Sequence, residues 1–119
     1  MKLFLDDRRV PYDVFLNTID IDYSNNDEWY VVKSYDEFVD YISNNELPSL
    51  ISFDHDLIFE HYFSENQTDI NYESMETKTG YHAAKWLIEY CKENGFTVPS
   101  VKFHTMNMEG KKNMEKLFV

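Results

Sequence analysis

Cysteine is almost absent. Cys91 is the only one, which excludes a disulfide framework and a cysteine zinc site and makes a reducing compartment the default; its place in a helical stripe makes it core filler. Positive charge is scarce as well. Eleven Lys and Arg stand against 22 Asp and Glu, a formal net charge of −11. That balance opposes wrapping along duplex nucleic acid, whose binding draws most of its affinity from many Lys/Arg–phosphate contacts. A small phosphorylated ligand, held by a few local cations or a divalent metal, stays compatible with it. Long apolar runs are missing too: "MKLFLDD" is too short for a signal sequence and no stretch approaches a membrane span. The chain therefore reads as cytoplasmic, with no membrane partner, and Asn66-Gln67-Thr68, although it fits a glycosylation sequon, reads as chance. There is no internal repeat, heptad pattern or low-complexity tract.

What is present suits a core. At 119 residues with 17% aromatics, the chain is long enough for one domain and too short for two ordinary ones, so a single α/β domain spanning 1–119 is expected. "KLFL" (2 to 5) and "LISF" (50 to 53) are apolar runs ended by charge, the form of strands buried on both faces. "WYVVKSY" (29 to 35) and "VKF" (101 to 103) supply two more strands. Segment 11 to 28, broken by Pro11 and "YSNND", reads as mostly irregular. Ser34 with Glu37 is a capping-box pattern opening a helix that "NNELP" ends. Thr79 is the expected N-cap of a longer helix with Gly80, Ala83, Ala84, Leu87, Ile88 and Cys91 in one stripe, stopped at Asn94-Gly95. "MEGKKNMEKLF" gives a last short helix. Residues 58 to 76 show no stable period and read as a long excursion over the site. Strands alternating with helices predict an open, mostly parallel sheet with flanking helices.

The charges gather where such a sheet binds ligands, at the carboxyl ends of its strands. Asp6 and Asp7 end the first strand, Asp54 and Asp56 flank His55 after the third, and His104 follows the fourth. A single acidic pair is as well explained as a solvated strand end or a cap; two pairs at matching ends point to one site. Close like charges require a bound cation or a proton, and hard oxygen ligands select Mg²⁺ or Mn²⁺, with Ca²⁺ also suited and Zn²⁺ tolerated by His55 and His104. Arg8 or Arg9 could grip a phosphate with its planar fork. Lys78-Thr79-Gly80 opens the long helix, whose N-terminus attracts anions. His61 and His82 have no evident partner, and Trp29 and Trp86 read as packing.

With "LDDRRVP", "FDHDL", "KTGYHAAKWLIEYC" and "HTMN" in this order, the chain resembles the cyclic-phosphate processing receiver-like domain family over nearly its whole length. The resemblance implies a receiver-like (flavodoxin-like) fold of about four strands, truncated relative to a full receiver. It also implies metal-dependent phosphoester chemistry on cyclic phosphates of nucleotides or RNA ends. The family's pattern falls on Leu5, Asp6, Asp7, Arg9, Pro11, Asp54, His55, Asp56, Leu57, Thr79 and Gly80. Its closing "HSxNP" keeps His104 and Asn107 but has Thr105 for serine and Met108 for proline.

The resulting expectation is a metal-dependent phosphoesterase for a cyclic nucleotide signal or a 2′,3′-cyclic phosphate end. In that reading Asp6, Asp7, Asp54 and Asp56 hold Mg²⁺ or Mn²⁺, His104, His55 and Asp54 are catalytic, and Arg9, Lys78, Thr79 and Asn107 bind the phosphate. Two other classes stand beside it: a nucleotide-binding or sequestering module without turnover, and a phosphorelay-type receiver switched at Asp54. The chain ends at Val119, about one βα unit before the receiver lysine that follows a fifth strand, which places the switch second. Toprim-type domains, with an early acid and a later DxD, are a more distant analogy.

Overall fold

A computed structural model describes residues 1–57 and 78–119 of the chain. Strands β1 (Lys2–Leu5), β2 (Trp29–Val32), β3 (Leu50–Phe53) and β4 (Ser100–Phe103) form one sheet in the order β2-β1-β3-β4, every neighbouring pair parallel. Helices α1 (Pro11–Thr18), α2 (Tyr35–Asn44), α3 (Gly80–Asn94) and α4 (Met108–Leu117) flank it. The architecture is the open parallel α/β sheet that the alternation of elements predicts, and the receiver-like one that the resemblance implies. The strands that carry the charged ends, β1, β3 and β4, are neighbours.

Successive strand residues point to opposite faces, and the packing divides accordingly. Leu3, Leu5, Ile51, Phe53 and Val32 join Phe38, Ile42, Ala83, Leu87, Cys91 and Met114 in the larger core, so α2, α3 and α4 cover one face. Phe4 turns the other way and packs with Val14 of α1, Tyr23 and Trp29. Trp86, partly buried, packs against the larger core.

Segment 11 to 28 departs from the irregular course expected of it. It contains α1 and two 3-10 turns, Ile21–Tyr23 and Asn26–Glu28. Pro11 occupies the first helical position, where its missing N–H costs nothing, and the Asp13 carboxylate accepts the Val10 N–H at 2.9 Å. Asp20 and Asn25 cap the two turns through their side chains. Strand β2 stops at Val32, three residues before the expected end, because the chain leaves the sheet to cap α2. There Ser34 Oγ accepts the Glu37 N–H as predicted, while Glu37 reaches back to the Lys33 N–H, one residue before the cap. The long excursion at 58 to 76, with His61 and the Asn66 sequon, lies outside the described residues. Among those residues no helix is long and apolar enough to cross a membrane.

Helix α3 is docked through its first turn. The Gly80 N–H donates to His55 O at 2.9 Å, and a Cβ on Gly80 would lie 1.7 Å from Asp54 O. At the other end Gly95 holds φ +70 with open space around it, the left-handed cap that "NG" announces. These two glycines answer different demands, and substitution separates them. Gly80→Ala is expected to cost about 3 kcal/mol, because backbone must move, and Gly95→Ala only about 1 kcal/mol of conformational strain. Urea midpoints at unchanged slope measure both; equal losses would refute the docking.

Candidate functional site

Three side chains converge at the carboxyl end of the sheet. The ladder runs one residue beyond each strand: Asp6 N–H donates to Val32 O, Asp54 N–H to Leu5 O and His104 N–H to Phe53 O. The period-two alternation therefore carries on, and Asp6, Asp54 and His104 share the α1 face with Phe4, Ser52 and Lys102. Their ligand-capable atoms all lie within 4.8 Å of one another, and all three residues are buried.

Asp6 is the anchor. Its Oδ1 accepts the backbone N–H groups of Arg8 and Arg9, both at 2.9 Å. Its Oδ2 accepts Arg9 Nε–H at 2.9 Å and faces His104 Nε2 at 3.1 Å. Burial alone would raise the Asp6 pKa, but the hydrogen bond from His104 and the two backbone donors outweigh it and hold the group at about 2. Asp54 is driven the other way. Burial first, then the negative charge of Asp6, push its pKa up to about 7, against the pull of Arg9, the Thr105 hydroxyl and the His55 N–H. Burial lowers the His104 pKa, although its bond to Asp6 resists. The arrangement is an ionised Asp6, a neutral His104 donating Nε2–H to it, and a half-protonated Asp54 at neutral pH. Arg9 also donates from Nη2 to His104 O at 3.3 Å and lies 3.6 Å from Asp54 Oδ1.

The other expected site residues sit elsewhere. Asp7 is partly exposed and outside the cluster, since it follows Asp6 on the opposite parity. His55 and Asp56 form a second buried group: His55 Nδ1 and Asp56 Oδ1 are 2.8 Å apart, and Asn107 Nδ2 donates to Asp56 Oδ1 at 3.3 Å. Asn107 Oδ1 meanwhile caps α4 by accepting the Gly110 N–H at 2.9 Å, and a Cβ on Gly110 would strike the His55 ring at 2.4 Å. This group braces the "FDHDL" turn against α4. Thr79 is buried as the α3 cap, its Oγ1 accepting the Tyr81 N–H, and His82 finds its partner there, accepting the Thr79 N–H at 2.9 Å. Lys78 is exposed and reaches over the Tyr35 ring.

Two residues that the sequence reading passed over touch His104. Ser52 Oγ is 2.6 Å from His104 Nδ1, and Tyr23 OH is 2.6 Å from Ser52 Oγ. The signal for Ser52 was a hydroxyl interrupting an apolar run.

The pKa of Asp54 makes the site sensitive to pH in a defined sense. The folded state keeps a proton up to about pH 7 that the unfolded chain releases near 3.8, so stability falls as pH rises through that window and is level above it. Asn mimics the protonated acid at every pH. In metal-free buffer the melting temperature of Asp54→Asn minus that of the wild type is expected to grow from pH 4 to 7 and then plateau. Asp56→Asn is expected to melt lower than the wild type throughout, because it disturbs the bonds to His55 and Asn107. A pH-independent gain for Asp54→Asn would show that the carboxyl is ionised throughout.

Comparison with known proteins agrees with this architecture. No curated protein and no solved structure matches the chain. A family model, described as the cyclic-phosphate processing receiver domain, matches residues 1–119. With that match covering the full length and the acidic ends of β1 and β3 meeting in one receiver-like sheet, the chain belongs to the cyclic-phosphate processing receiver domain family.

Proposed function

We propose that the chain is a metal-dependent phosphoesterase that opens a cyclic phosphate, in a cyclic nucleotide signal or at the 2′,3′-cyclic end of an RNA. The observation that carries this reading is the convergence of Asp6, Asp54 and His104 within 4.8 Å in a member of that family. Two carboxylates with one imidazole suit Mn²⁺, and the carboxylates alone suit Mg²⁺. Burial and then the charge of Asp6 push Asp54 up to about 7, and a cation would offset both costs. Asp6, Asp54 and, for Mn²⁺, His104 would hold it, and it would supply neutralisation of phosphoryl oxygens and an acidified water.

The chain's own groups do the rest. Arg9, with its side chain 24% exposed, is placed to turn its fork from Asp54 to a phosphoryl oxygen. His104 presents Nε2 at the carboxylates and, once it has taken a second proton as an imidazolium, could give one to a departing alkoxide and return to the neutral ring. Thr79 and Asn107 are occupied as caps, so phosphate positioning falls to Arg9. The acidic surface suits a small substrate or a short terminus over a long polymer, and a cytoplasmic setting is part of the proposal.

One observation favours a second reading. The buried Thr105 hydroxyl lies by Asp54 and pulls its pKa down, the relation of a switch hydroxyl to a phosphoacceptor aspartate. Phosphorylation there would leave an acid-labile acyl phosphate on Asp54 and no cleaved product.

The test is incubation with cyclic mononucleotides, cyclic dinucleotides and cyclic-phosphate RNA ends, with Mg²⁺ or Mn²⁺, read by mass spectrometry for the gain of one water. Binding without product would make the chain a sequestering module and overturn the enzymatic reading. Metal at a hundredfold excess over Kd is expected to stabilise the fold by about 3 kcal/mol. Asp54→Asn is expected to remove most turnover, and His104→Ala to reduce it about a hundredfold. Calorimetry separates the two roles of His104: unchanged metal affinity assigns proton transfer, and a parallel loss assigns ligation. His55→Ala is expected to lose stability more than turnover.

A further inference from the structure

The chain of buried groups behind His104 has no part in the chemistry described so far. Tyr23, Ser52 and His104 are all buried, and two contacts of 2.6 Å link them in series. The His104 ring is also stacked on Phe4, at 4.2 Å between centroids and 9° between planes. The turn carrying Tyr23 is tied to β4 through Lys102, which pairs with Asp20 at 2.7 Å and lies over the Tyr23 ring. Stacking fixes the plane of the imidazole; it leaves open which nitrogen carries the proton.

The hydrogen bonds decide that. An ionised Asp6 can only accept, so the proton between Asp6 Oδ2 and His104 belongs to Nε2. The Nδ1 of a neutral ring is then a lone pair, and Ser52 Oγ–H must donate to it. Ser52 Oγ in turn accepts from Tyr23 O–H, and three protons run one way, from Tyr23 through Ser52 to His104 and on to Asp6. Hydroxyls both donate and accept. With Nε2 committed as a lone pair to a cation, Nδ1–H could donate to Ser52, Ser52 to Tyr23, and Tyr23 outward. Tyr23 and His104 line a cavity of about 290 Å³ between α1, β4 and α4, room enough for water to take that last bond. The proton count is the same in both directions. A backbone carbonyl in place of Ser52 would hold only the Nδ1–H form.

We propose that Ser52 and Tyr23 are positioning residues that complete the hydrogen bonds of the His104 tautomer Asp6 selects, and let that tautomer reverse when the carboxylate site takes up a cation. The static half stands on the hydrogen bonds alone, and the reversal rests on the metal reading above.

Nitrogen-15 NMR of the His104 ring tests both. In metal-free wild type the protonated signal is expected at Nε2 and the lone-pair signal at Nδ1. Ser52→Ala, and the better-matched double variant Ser52→Ala/Tyr23→Phe that leaves no phenol unpaired, are expected to shift the Nδ1 lone-pair signal as its hydrogen bond is lost, while Asp6 keeps the proton on Nε2. Unchanged His104 signals in a folded variant would overturn the proposal. Calorimetry with Mn²⁺ is expected to show a tenfold to hundredfold loss of affinity in the same variants; full affinity would overturn the reversal. Failure of the wild type to bind Mn²⁺ would overturn the metal reading and the reversal together, leaving the metal-free tautomer result to decide the static half.

Discussion

Asp6 is 1% exposed, and a carboxylate buried so completely stays ionised only because donors surround it. The backbone of Arg8 and Arg9, the Arg9 guanidinium and the His104 ring all point at it. The rest of the site follows from that constraint. Burial and then the charge of Asp6 drive a second carboxyl, Asp54, toward its protonated form, and the ionised Asp6 fixes the proton of His104 on Nε2 and folds Arg9 back over the strand ends. The cluster is therefore poised: a compensating positive charge nearby would favour loss of the Asp54 proton, and the cluster could hold a cation.

A second constraint keeps that geometry rigid. The "FDHDL" turn is clamped from two sides by glycines that a methyl group would displace, Gly80 against Asp54 O and Gly110 against the His55 ring. Because both helices begin there, their caps and the turn share partners: Asn107 serves α4 with its oxygen and Asp56 with its amide. His55 and Asp56 thus support the site without entering it. Motif residues divide into a converging set and a bracing set, and adjacency in sequence does not say which is which.

The acidity of the chain and the chemistry of the site are compatible through scale. A net charge of −11 repels a polyanion along its whole length, yet in the proposed reading one bound cation with Arg9 would invert the sign over the few ångströms that a single phosphate spans. This is also why the aromatic and hydroxyl groups behind His104 matter. They are neutral, and they can align a proton without adding to the field.

The sequence by itself determined the features whose energetics are local. Apolar runs ending in charge marked β1 and β3, Ser34 and Thr79 marked helix starts through bonds to the next turn, and Gly95 marked a stop through its backbone freedom. Those features, with the family motifs, were enough for the receiver-like fold and for the acidic strand ends. In segment 11 to 28 the same local rules were present at Pro11, Asp13, Asp20 and Asn25, but a weak apolar period hid the helix that the first two open and the turns that the last two cap. Only the tertiary structure decided which charges meet. Asp6 and not Asp7 faces His104 because the ladder continues one residue past β1 and preserves side-chain parity, and Asp54 and not Asp56 does so because the ladder ends at Asp54 and the chain then turns Asp56 to His55 and Asn107. Nor could the sequence pair Tyr23 with Ser52, 29 residues apart. A cap is settled within one helical turn, whereas a cross-strand contact depends on strand order and register, which the whole sheet sets at once.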